Sequence, residues 1–280
     1  MKLVTGHKGF IGRNLVKYLE AQGDKVWGFD AVDGDPIEQA KDVPWDEITQ
    51  VYHLGAISNT TELDVLKIQR WNVESSIQIM EWTIMKNIPV TYASSGSVYG
   101  NSMCQGQYEY NPLNYYAISK LTVDMWVKEN LSRFTAPVVG LRYFNVYGMD
   151  EKKDDFCTSP VYRFSEQAKA SGVIKIFKGS EHTYRDFVCV EDVVKLTARK
   201  YDKHGTYDLG CGTSISFLDV AVMVADKYKA TIQFIPFPEV IKGKYQKYSL
   251  AQEHFPDHKF IQVEEFVQRM DPGYSAHLLI

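Results

Sequence analysis

The sequence predicts an α/β fold built on a doubly wound parallel sheet, with a smaller α+β part in its second half. Short apolar strands alternate with amphipathic helices up to Gly148, which is the pattern of a parallel sheet covered by helices. A glycine-rich turn joins the first predicted strand to the first predicted helix. After Gly148 the alternation loosens. The first half therefore predicts a Rossmann-type sheet, and the second half predicts a smaller unit interleaved with returns to that sheet.

Length, composition and charge are those of a globular protein. The 280 residues allow one large domain or two modest ones, and 45% hydrophobic with 24% charged residues argues against disorder. The net charge of −4 leaves no basic surplus to neutralise a phosphate backbone, so we expect no nucleic-acid partner. No apolar run approaches the ~20 residues of a membrane span. The chain opens on a strand pattern, and we expect no signal peptide and no membrane partner.

The cysteines give no sign of a metal site or a disulfide framework. They are scattered along the chain and form neither a Cys-x-x-Cys pair nor a His/Cys cluster; they are Cys104, Cys157, Cys189 and Cys211. We therefore expect no bound metal and a reducing, cytoplasmic location.

The predicted strands are short, apolar and bounded by turn residues. In the first half they are Lys2–Thr5, Lys25–Asp30, Val51–Leu54, Val90–Ala93 and Val138–Leu141, and in the second half Ile174–Phe177, Phe187–Val190 and Ile232–Ile235. The predicted helices are Phe10–Gln22, Asn114–Leu131, Ser159–Ser171, Glu191–Tyr201 and Phe217–Lys229. Residues 31–50 are too few for a crossover helix, a full strand and a return. We expect one element of the doubly wound plan to be stunted or missing there.

The turn after the first strand has the spacing of a phosphate-binding loop. Gly6 permits a tight turn, Gly9 lets a pyrophosphate approach the backbone, and Gly12 lets the helix pack on the strand. The helix N-terminus supplies N–H groups and a positive dipole end to the anion. The second strand ends in Asp30, where an acid binds an adenosine ribose hydroxyl. This predicts bound NAD or NADP: Asp30 repels a 2′-phosphate and favours NAD, whereas Lys8 partly offsets that repulsion.

A tyrosine and a lysine on one helix face suggest acid–base chemistry. Tyr116 and Lys120 are four residues apart in the predicted helix. A lysine ammonium and a positive nicotinamide would stabilise the phenolate of a group that otherwise loses its proton near pH 10. Tyr116 could then remove a hydroxyl proton while hydride leaves the same carbon. The alternative is a plain pair on a helix surface.

A serine-rich loop follows the fourth predicted strand. Ser94 and Ser95 stand where a doubly wound sheet presents its ligand site, at the carboxyl end of a parallel strand. Ser95 is the candidate for a hydrogen bond to the reacting oxygen, and Ser94 is the candidate for a bond to the backbone. Alone, this stretch could be an ordinary Ser/Gly loop. Its order and spacing relative to the phosphate loop and to Tyr116 favour a catalytic interpretation.

Several stretches together resemble a known family. The chain is similar to the extended short-chain dehydrogenase/reductases of the nucleotide-sugar epimerase group, and within it to the ADP-glycero-manno-heptose 6-epimerases. The matching stretches include 6–12, 92–95, 116–120, 142–148 and Arg185-Asp186-Phe187-Val188, of which the early ones are generic to the superfamily. More specific are Ser58-Asn59-Thr60-Thr61-Glu62, Phe177-Lys178-Gly179-Ser180-Glu181 and the run from Ile235-Pro236-Phe237-Pro238 to Lys242-Gly243-Lys244-Tyr245-Gln246.

The resemblance implies roles for individual residues. Those implied to line the cofactor are Phe10, Ile11, Asp30, Gly55, Ala56, Ser58, Asn72 and Lys120. Tyr116 is implied to be a catalytic base. Those implied to hold the nucleotide-sugar, with Ser95, are Asn145, Val146, Phe177, Ser180, Arg185 and Tyr245. Arg185 suits a diphosphate because a guanidinium binds phosphate oxygens in a bidentate fork.

The resemblance also implies an activity and a domain plan. It implies epimerisation of a nucleotide-activated sugar through transient oxidation by a tightly held nicotinamide, in a homo-oligomer. The alternatives are a 4-epimerase or keto-sugar reductase acting on another nucleotide sugar, and a non-catalytic cofactor-binding protein of the same fold. We expect a dinucleotide-binding domain of residues 1–143, 189–212 and 244–257, and a substrate-binding domain of residues 144–188, 213–243 and 258–280.

Two stretches depart from the family pattern. Residues 31–50 lack a clear match to the longer, lysine-bearing segment that helps the family accept an NADP phosphate. The family has a lysine as second catalytic base after the Asn145–Gly148 stretch, and ungapped alignment places Asp154 there, directly after Lys153. We favour Lys153 as second base, with Asp154 as the alternative. A third possibility is that no second base exists and the protein is an oxidoreductase acting on one face, and residues 151–155 could also be a solvated charge run without a catalytic role.

Overall fold

The fold is given by a computed structural model of the chain, which describes residues 1–105, 108–149, 151, 158–238 and 246–270. In chain order its strands are β1 (Lys2–Thr5), β2 (Val26–Phe29), β3 (Gln50–His53), β4 (Val90–Ser95), β5 (Val138–Tyr143), β6 (Asn145–Tyr147), β7 (Val173–Phe177), β8 (Tyr184–Cys189), β9 (Gly205–Leu209), β10 (Ser214–Ser216) and β11 (Thr231–Ile235). The helices are α1 (Phe10–Ala21), α2 (Pro36–Gln39), α3 (Val65–Ile68), α4 (Ser75–Lys86), α5 (Tyr115–Glu129), α6 (Pro160–Ser171), α7 (Val190–Ala198), α8 (Phe217–Tyr228) and α9 (Val263–Arg269). Among these helices, none has both the length and the apolar composition needed to cross a bilayer.

Six parallel strands form the main sheet, in the order β2-β1-β3-β4-β5-β9. Leu3 and Val4 are neighbours in β1 and enter different cores, because successive strand side chains point to opposite faces. The core containing Val4 is closed by α1 and α7, and the core containing Leu3 is closed by α4 and α5. Helices on both faces confirm the predicted Rossmann-type, doubly wound fold.

The connection from β2 to β3 is short, as expected. Residues 30–49 are all described and hold α2 and three 3₁₀ turns but no strand. β2 is therefore an edge strand, whereas the doubly wound order places one more strand outside this position. The predicted missing element is that outer strand.

The smaller part holds two further sheets. β8 pairs antiparallel with β10 and parallel with β6, and β7 pairs parallel with β11. Helices α6, α8 and α9 pack beside them around a core that includes Phe164, Phe187 and Phe266. This is the predicted α+β part. The predicted strand that ends at Val190 instead ends at Cys189, and Val190 opens α7.

One edge of the main sheet positions the candidate site. The parallel strands β1, β3, β4 and β5 all end at this edge, so the turns that follow them lie side by side. Helix α6 and strands β7 and β8 of the smaller part supply side chains to the same cleft. The cleft therefore lies between the carboxyl edge of the sheet and the smaller part.

Candidate active site

The loop from β1 to α1 has the geometry of a phosphate cradle. Gly6 has a φ of +68°, which favours glycine. Among the described residues, leaving out those next to Gly9 in the chain and in α1, only the Gly6 carbonyl oxygen lies within 4 Å of where a Gly9 Cβ would be, at 3.2 Å, so a side chain there would fill the space in front of the loop. Within the part of the chain that the structure describes, no side chain caps the first turn of α1. An open loop beside an uncapped helix N-terminus fits the pyrophosphate of a dinucleotide.

Gly12 is required for packing. A Cβ on Gly12 would lie 2.0 Å from the carbonyl oxygen of Gly6, and backbone in a tight turn has no room to withdraw. We expect Gly12→Ala to lower the free energy of unfolding by about 1–3 kcal/mol, the usual cost of overpacking. Urea denaturation of the cofactor-free protein measures this. Gly9→Ala is the matched control, with a smaller stability loss but weakened dinucleotide binding; equal stability losses would contradict the assignment.

Asp30 directly follows β2, and its carboxylate accepts hydrogen bonds from two backbone N–H groups. Its carboxylate accepts from the backbone N–H of Lys8 at 3.0 Å and from that of Val32 at 3.2 Å. Lys8 forms an ion pair with Asp33 through its Nζ. The cation that was expected to offset Asp30 is therefore already paired with a carboxylate.

The turn after β3, residues 55–58, also lines the cleft. The backbone N–H of Gly55 donates to Thr5 Oγ1 at 3.0 Å. Asn72 accepts from the backbone N–H of Ile57 at 2.8 Å, and its Nδ2 donates to Ile57 O and to Ser119 Oγ, each at 3.0 Å. Asn72 is 1% exposed and does not line the cleft. It braces the turn predicted to contact the cofactor.

The two serines at the end of β4 have different surroundings. Ser94 Oγ donates to the Asp124 carboxylate at 2.9 Å, a side chain rather than the backbone expected from the sequence. Ser95 Oγ accepts from the backbone N–H of Ser97 at 3.2 Å and from Ser97 Oγ at 2.8 Å. These two bonds use the acceptor capacity of Ser95 and leave its own hydroxyl hydrogen for a group in the cleft.

Helix α5 brings Tyr116 and Lys120 to the cleft together. Asn114 caps the helix by accepting from the backbone N–H of Ala117 at 2.9 Å. Lys120 is 6% exposed, donates to Ala93 O at 2.8 Å and lies 5.9 Å from the centre of the Tyr116 ring. Burial lowers the pKa of Lys120 to about 8, and the charge of Asp124 partly opposes this shift. Lys120 is therefore a fixed cation near neutral pH that faces the tyrosine ring.

A buried charge network supports this wall of the site from behind. Arg142 on β5 donates from Nε to Asp124 Oδ2 at 3.0 Å and from Nη1 to Tyr99 Oη at 2.6 Å. Tyr99 Oη in turn donates to Asp208 Oδ1 at 2.8 Å. The network holds Asp124, which binds Ser94, so it fixes the strand end that carries Ser95.

The cleft has a volume of about 940 Å³ and collects most of the residues predicted from the sequence. Those lining it are Gly6, Gly9, Phe10, Ile11, Gly12, Asp30, Gly55, Ala56, Ser58, Ser95, Tyr116, Lys120, Asn145, Val146, Phe177, Ser180 and Arg185. Lys153, Asp154 and Tyr245 lie outside the described residues.

Sequence reasoning missed part of the lining. Ser159, which caps the N-terminus of α6, borders the cleft with Arg163 and Gln167 of that helix and with Lys175 of β7. Gln167 Oε1 accepts from the backbone N–H of Lys175 at 2.7 Å, which ties α6 to β7. Their i, i+4, i+8 spacing in a predicted helix was the available signal. His53 also borders the cleft and was counted only as part of an apolar strand.

Comparison with known proteins places this geometry in a family. The model of the NAD dependent epimerase/dehydratase family matches residues 2–210. ADP-L-glycero-D-manno-heptose-6-epimerases from Alkalilimnicola ehrlichii and Brachyspira hyodysenteriae are 38% and 35% identical, each over 90% of this chain and 88% and 89% of their own lengths. The Helicobacter pylori enzyme of that name has a crystal structure with a TM-score of 0.78 and 25% identity, covering 95% of this chain and 93% of its own. The chain belongs to the NAD dependent epimerase/dehydratase family, which confirms the resemblance predicted from its sequence.

Proposed function

We propose that the protein epimerises a nucleotide-activated sugar of the ADP-glycero-manno-heptose class, using a tightly held nicotinamide cofactor. The observation that carries the proposal is the convergence of Ser95, Tyr116 and Lys120 on one cleft with the phosphate loop. Phosphate loop, hydroxyl donor and tyrosine–lysine pair are the groups that reversible oxidation of a carbinol requires. The names of the similar heptose epimerases support the choice of sugar.

Tyr116, Lys120 and Ser95 are proposed to have separate roles in the reaction. A bound nicotinamide supplies hydride acceptance from the carbinol carbon and hydride return to the other face of the resulting ketone. Tyr116 takes the hydroxyl proton as the ketone forms, and Lys120 stabilises the phenolate through its charge. The Ser95 hydroxyl donates a hydrogen bond to the reacting oxygen. Because hydride and proton both return, the reaction has no net oxidation.

The smaller part is proposed to hold the nucleotide-sugar. Arg185 is 4% exposed and borders the cleft; its guanidinium lies 5.6 Å from the centre of the Phe217 ring and donates from Nη1 to Tyr184 O at 2.9 Å. Such a fixed guanidinium suits a diphosphate. Asn145, Val146, Phe177, Ser180 and, by resemblance, Tyr245 complete the proposed contacts.

A panel of nucleotide sugars tests the function. Purified protein is incubated with ADP-, GDP- and UDP-sugars, and NMR follows the configuration of each stereocentre. Inversion at C6 of an ADP-heptose supports the proposal. Inversion at C4 of another sugar, or net reduction of a keto sugar, would replace it with one of the alternatives. Absence of turnover with every substrate, alongside normal cofactor binding, would indicate a non-catalytic binding protein.

We expect the isolated protein to prefer NAD to NADP. Asp30 is fixed at the end of β2 by two backbone N–H groups, and a 2′-phosphate beside it would face like charge that Lys8, paired with Asp33, does not relieve. Calorimetric titration should show NADP binding at least ~10-fold more weakly, a difference of about 1.4 kcal/mol. Asp30→Asn should reduce the difference between the dissociation constants for NAD and NADP. Asp46→Asn is the control, because it removes a carboxylate that forms an exposed ion pair with Lys86, and it should leave that difference unchanged. Stoichiometric NADP released from the purified protein would contradict the preference.

Lys153 is proposed as the second base, on the sugar face opposite Tyr116. Glu151 accepts from the Ser159 backbone N–H at 2.8 Å and from Ser159 Oγ at 2.5 Å, so the residues flanking 152–157 meet where Ser159 borders the cleft. Lys153→Met should abolish epimerisation yet preserve hydride exchange with an aldehyde analogue on one face, and Lys152→Met should keep both activities. Full epimerase activity in Lys153→Met with loss in Asp154→Asn would move the role to Asp154.

A further inference from the structure

His53 is the centre of a buried chain of hydrogen bonds beside the cleft. It is the last residue of β3 and is 5% exposed. Its Nδ1 lies 2.7 Å from Thr5 Oγ1, at the end of the neighbouring strand β1. Its Nε2 lies 2.8 Å from Ser76 Oγ, in the first turn of α4. One imidazole ring thus joins two strands of the sheet to a helix that covers it.

For a neutral imidazole, the hydrogens of this chain can be placed in only one way that pairs every contact. Ser76 Oγ donates its single hydrogen to Asn72 O at 2.5 Å, so Ser76 Oγ must accept from His53 Nε2. Thr5 Oγ1 already accepts from the Gly55 backbone N–H, so its own hydrogen is free to go to His53 Nδ1. A neutral His53 therefore carries its hydrogen on Nε2, and burial and the charge of Lys120 oppose the addition of a second hydrogen at Nδ1.

Both ends of the chain reach the proposed machinery. At one end Thr5 holds Gly55, the first residue of the turn 55–58. At the other end Ser76 holds the backbone of Asn72, whose side chain binds Ile57 of the same turn and Ser119 of α5. Asn72 lies in the π-helical stretch Gln69–Glu74, a geometry that is frequent at functional sites.

The link continues into the helix that carries the proposed acid–base pair. Ser119 stands between Tyr116 and Lys120 in the sequence, and its Oγ donates to Tyr116 O at 2.7 Å. The turn 55–58 and the Tyr116–Lys120 pair are therefore attached to the same buried chain. A change at its centre would move the turn relative to the helix.

We propose that His53 is a positioning residue, held as the neutral Nε2–H tautomer, which fixes the turn 55–58 for cofactor binding. The proposal rests on the proposed nicotinamide site and is independent of the sugar. In this role His53 acts through its two hydrogen bonds and not only by filling space in the core. A phenylalanine of similar shape would leave the Thr5 and Ser76 hydroxyls without their partner.

The surroundings of His53 act against its protonation. Lys120 of α5 is the charged group that acts on the ring, and burial together with this like charge lowers the pKa of His53 to about 3. Thr5 of β1 and Ser76 of α4 contribute neutral hydroxyls. His53 should therefore not titrate between pH 5.5 and pH 8.

The tautomer is measured directly by ¹⁵N-edited NMR of histidine rings in the cofactor-free protein. His53 is assigned by its absence from the spectrum of His53→Gln. We expect an unprotonated Nδ1 and a protonated Nε2, unchanged from pH 5.5 to 8. An Nδ1–H tautomer, or titration within this range, overturns the proposal whatever the enzyme's activity.

The positioning role is tested by a matched pair of variants on α4. Ser76→Ala removes the acceptor of His53 Nε2, whereas Thr83→Val removes a hydroxyl that is equally buried and bonded to Met80 O, two turns further along. Ser76→Ala deletes two buried hydrogen bonds, to Asn72 O and from His53 Nε2, and Thr83→Val deletes one, so Ser76→Ala should lose more stability and the two variants are compared by NAD binding under conditions where both are folded. Ser76→Ala should raise the dissociation constant for NAD about threefold or more beyond any change in Thr83→Val, with KM for the sugar less affected.

A smaller difference between the two variants overturns the positioning role. NAD and NADP titrations of the unaltered protein are run alongside: binding of neither would contradict the proposed function, and normal binding with an indifferent Ser76→Ala would contradict only the role of His53. His53→Asn supplies the rescue arm, because its Oδ1 can accept from Thr5. It should bind NAD more tightly than His53→Phe, and equal loss in the two would count against the chain of hydrogen bonds.

Discussion

Tyr116→Phe should lower kcat by at least ~10²-fold while the dissociation constant for NAD stays within about twofold of the unaltered value. The substitution removes only the phenolic oxygen, which is the proposed proton acceptor. The ring remains available to the Lys120 ammonium, 5.9 Å from its centre, so the shape of the cleft is preserved. Steady-state kinetics on the epimerised sugar and calorimetric titration with NAD measure the two quantities separately.

Tyr115→Phe is the control for this experiment. Tyr115 is the preceding residue of α5 and its side chain is 43% exposed, so loss of its hydroxyl should leave kcat unchanged. If Tyr116→Phe kept turnover within tenfold of the unaltered protein, another group would have to move the proton. Equal loss in both variants would point to a damaged helix and not to missing chemistry.

Patterns local in sequence were sufficient for the main features of the fold and of the cleft. The glycine loop between β1 and α1, the shortened stretch after Asp30, and the Tyr116–Lys120 spacing each lie within one or two elements. The parallel arrangement of β1, β3 and β4 then brings their ends together. This is why residues predicted separately, such as Asp30, Ser95 and Lys120, line one cleft.

Long-range polar contacts could not be predicted in this way. His53 follows apolar residues in β3, and its partners Thr5 and Ser76 are 48 and 23 residues away. The resemblance implies that Asn72 contacts the cofactor, yet its side chain forms hydrogen bonds with Ile57 of the turn 55–58 and with Ser119 of α5. Residue type predicts that such groups need partners when buried, but only the packed fold determines which partners they have.

The buried ion pair behind Ser95 is another long-range contact that the sequence did not predict. Breaking it is expected to lower the free energy of unfolding strongly. Arg142 and Asp124 come from a strand and a helix, and both are less than 10% exposed. Burial raises the pKa of Asp124, and the charge and hydrogen bonds of Arg142 oppose that shift. The Arg142 guanidinium also lies 5.2 and 5.1 Å from the centres of the Tyr99 and Tyr110 rings, which stack on each other. Arg142 is thus the cation that opposes the effect of burial on the pKa of Asp124, together with hydrogen bonds from Ser94 and Tyr92.

Arg142→Met should therefore cost about 3–5 kcal/mol of unfolding free energy at pH 7, because it leaves a buried carboxylate without its counter-charge. Arg133→Met is the control: its ion pair with Glu81 is half-exposed, and its loss should cost at most about 1 kcal/mol. Urea denaturation from pH 7 to pH 4 gives both values.

The pH dependence identifies the cause of the Arg142→Met deficit. Without Arg142, only the hydrogen bonds from Ser94 and Tyr92 still oppose the effect of burial, so the folded-state pKa of Asp124 rises further above the unfolded value. A group whose pKa is higher in the folded state stabilises the fold at low pH and loses that contribution as pH rises through the folded pKa. The deficit of Arg142→Met relative to the unaltered protein should accordingly shrink as pH falls toward 4. A deficit that is constant with pH would assign the loss to missing packing against Tyr99 and Tyr110, since packing does not depend on the protonation of Asp124.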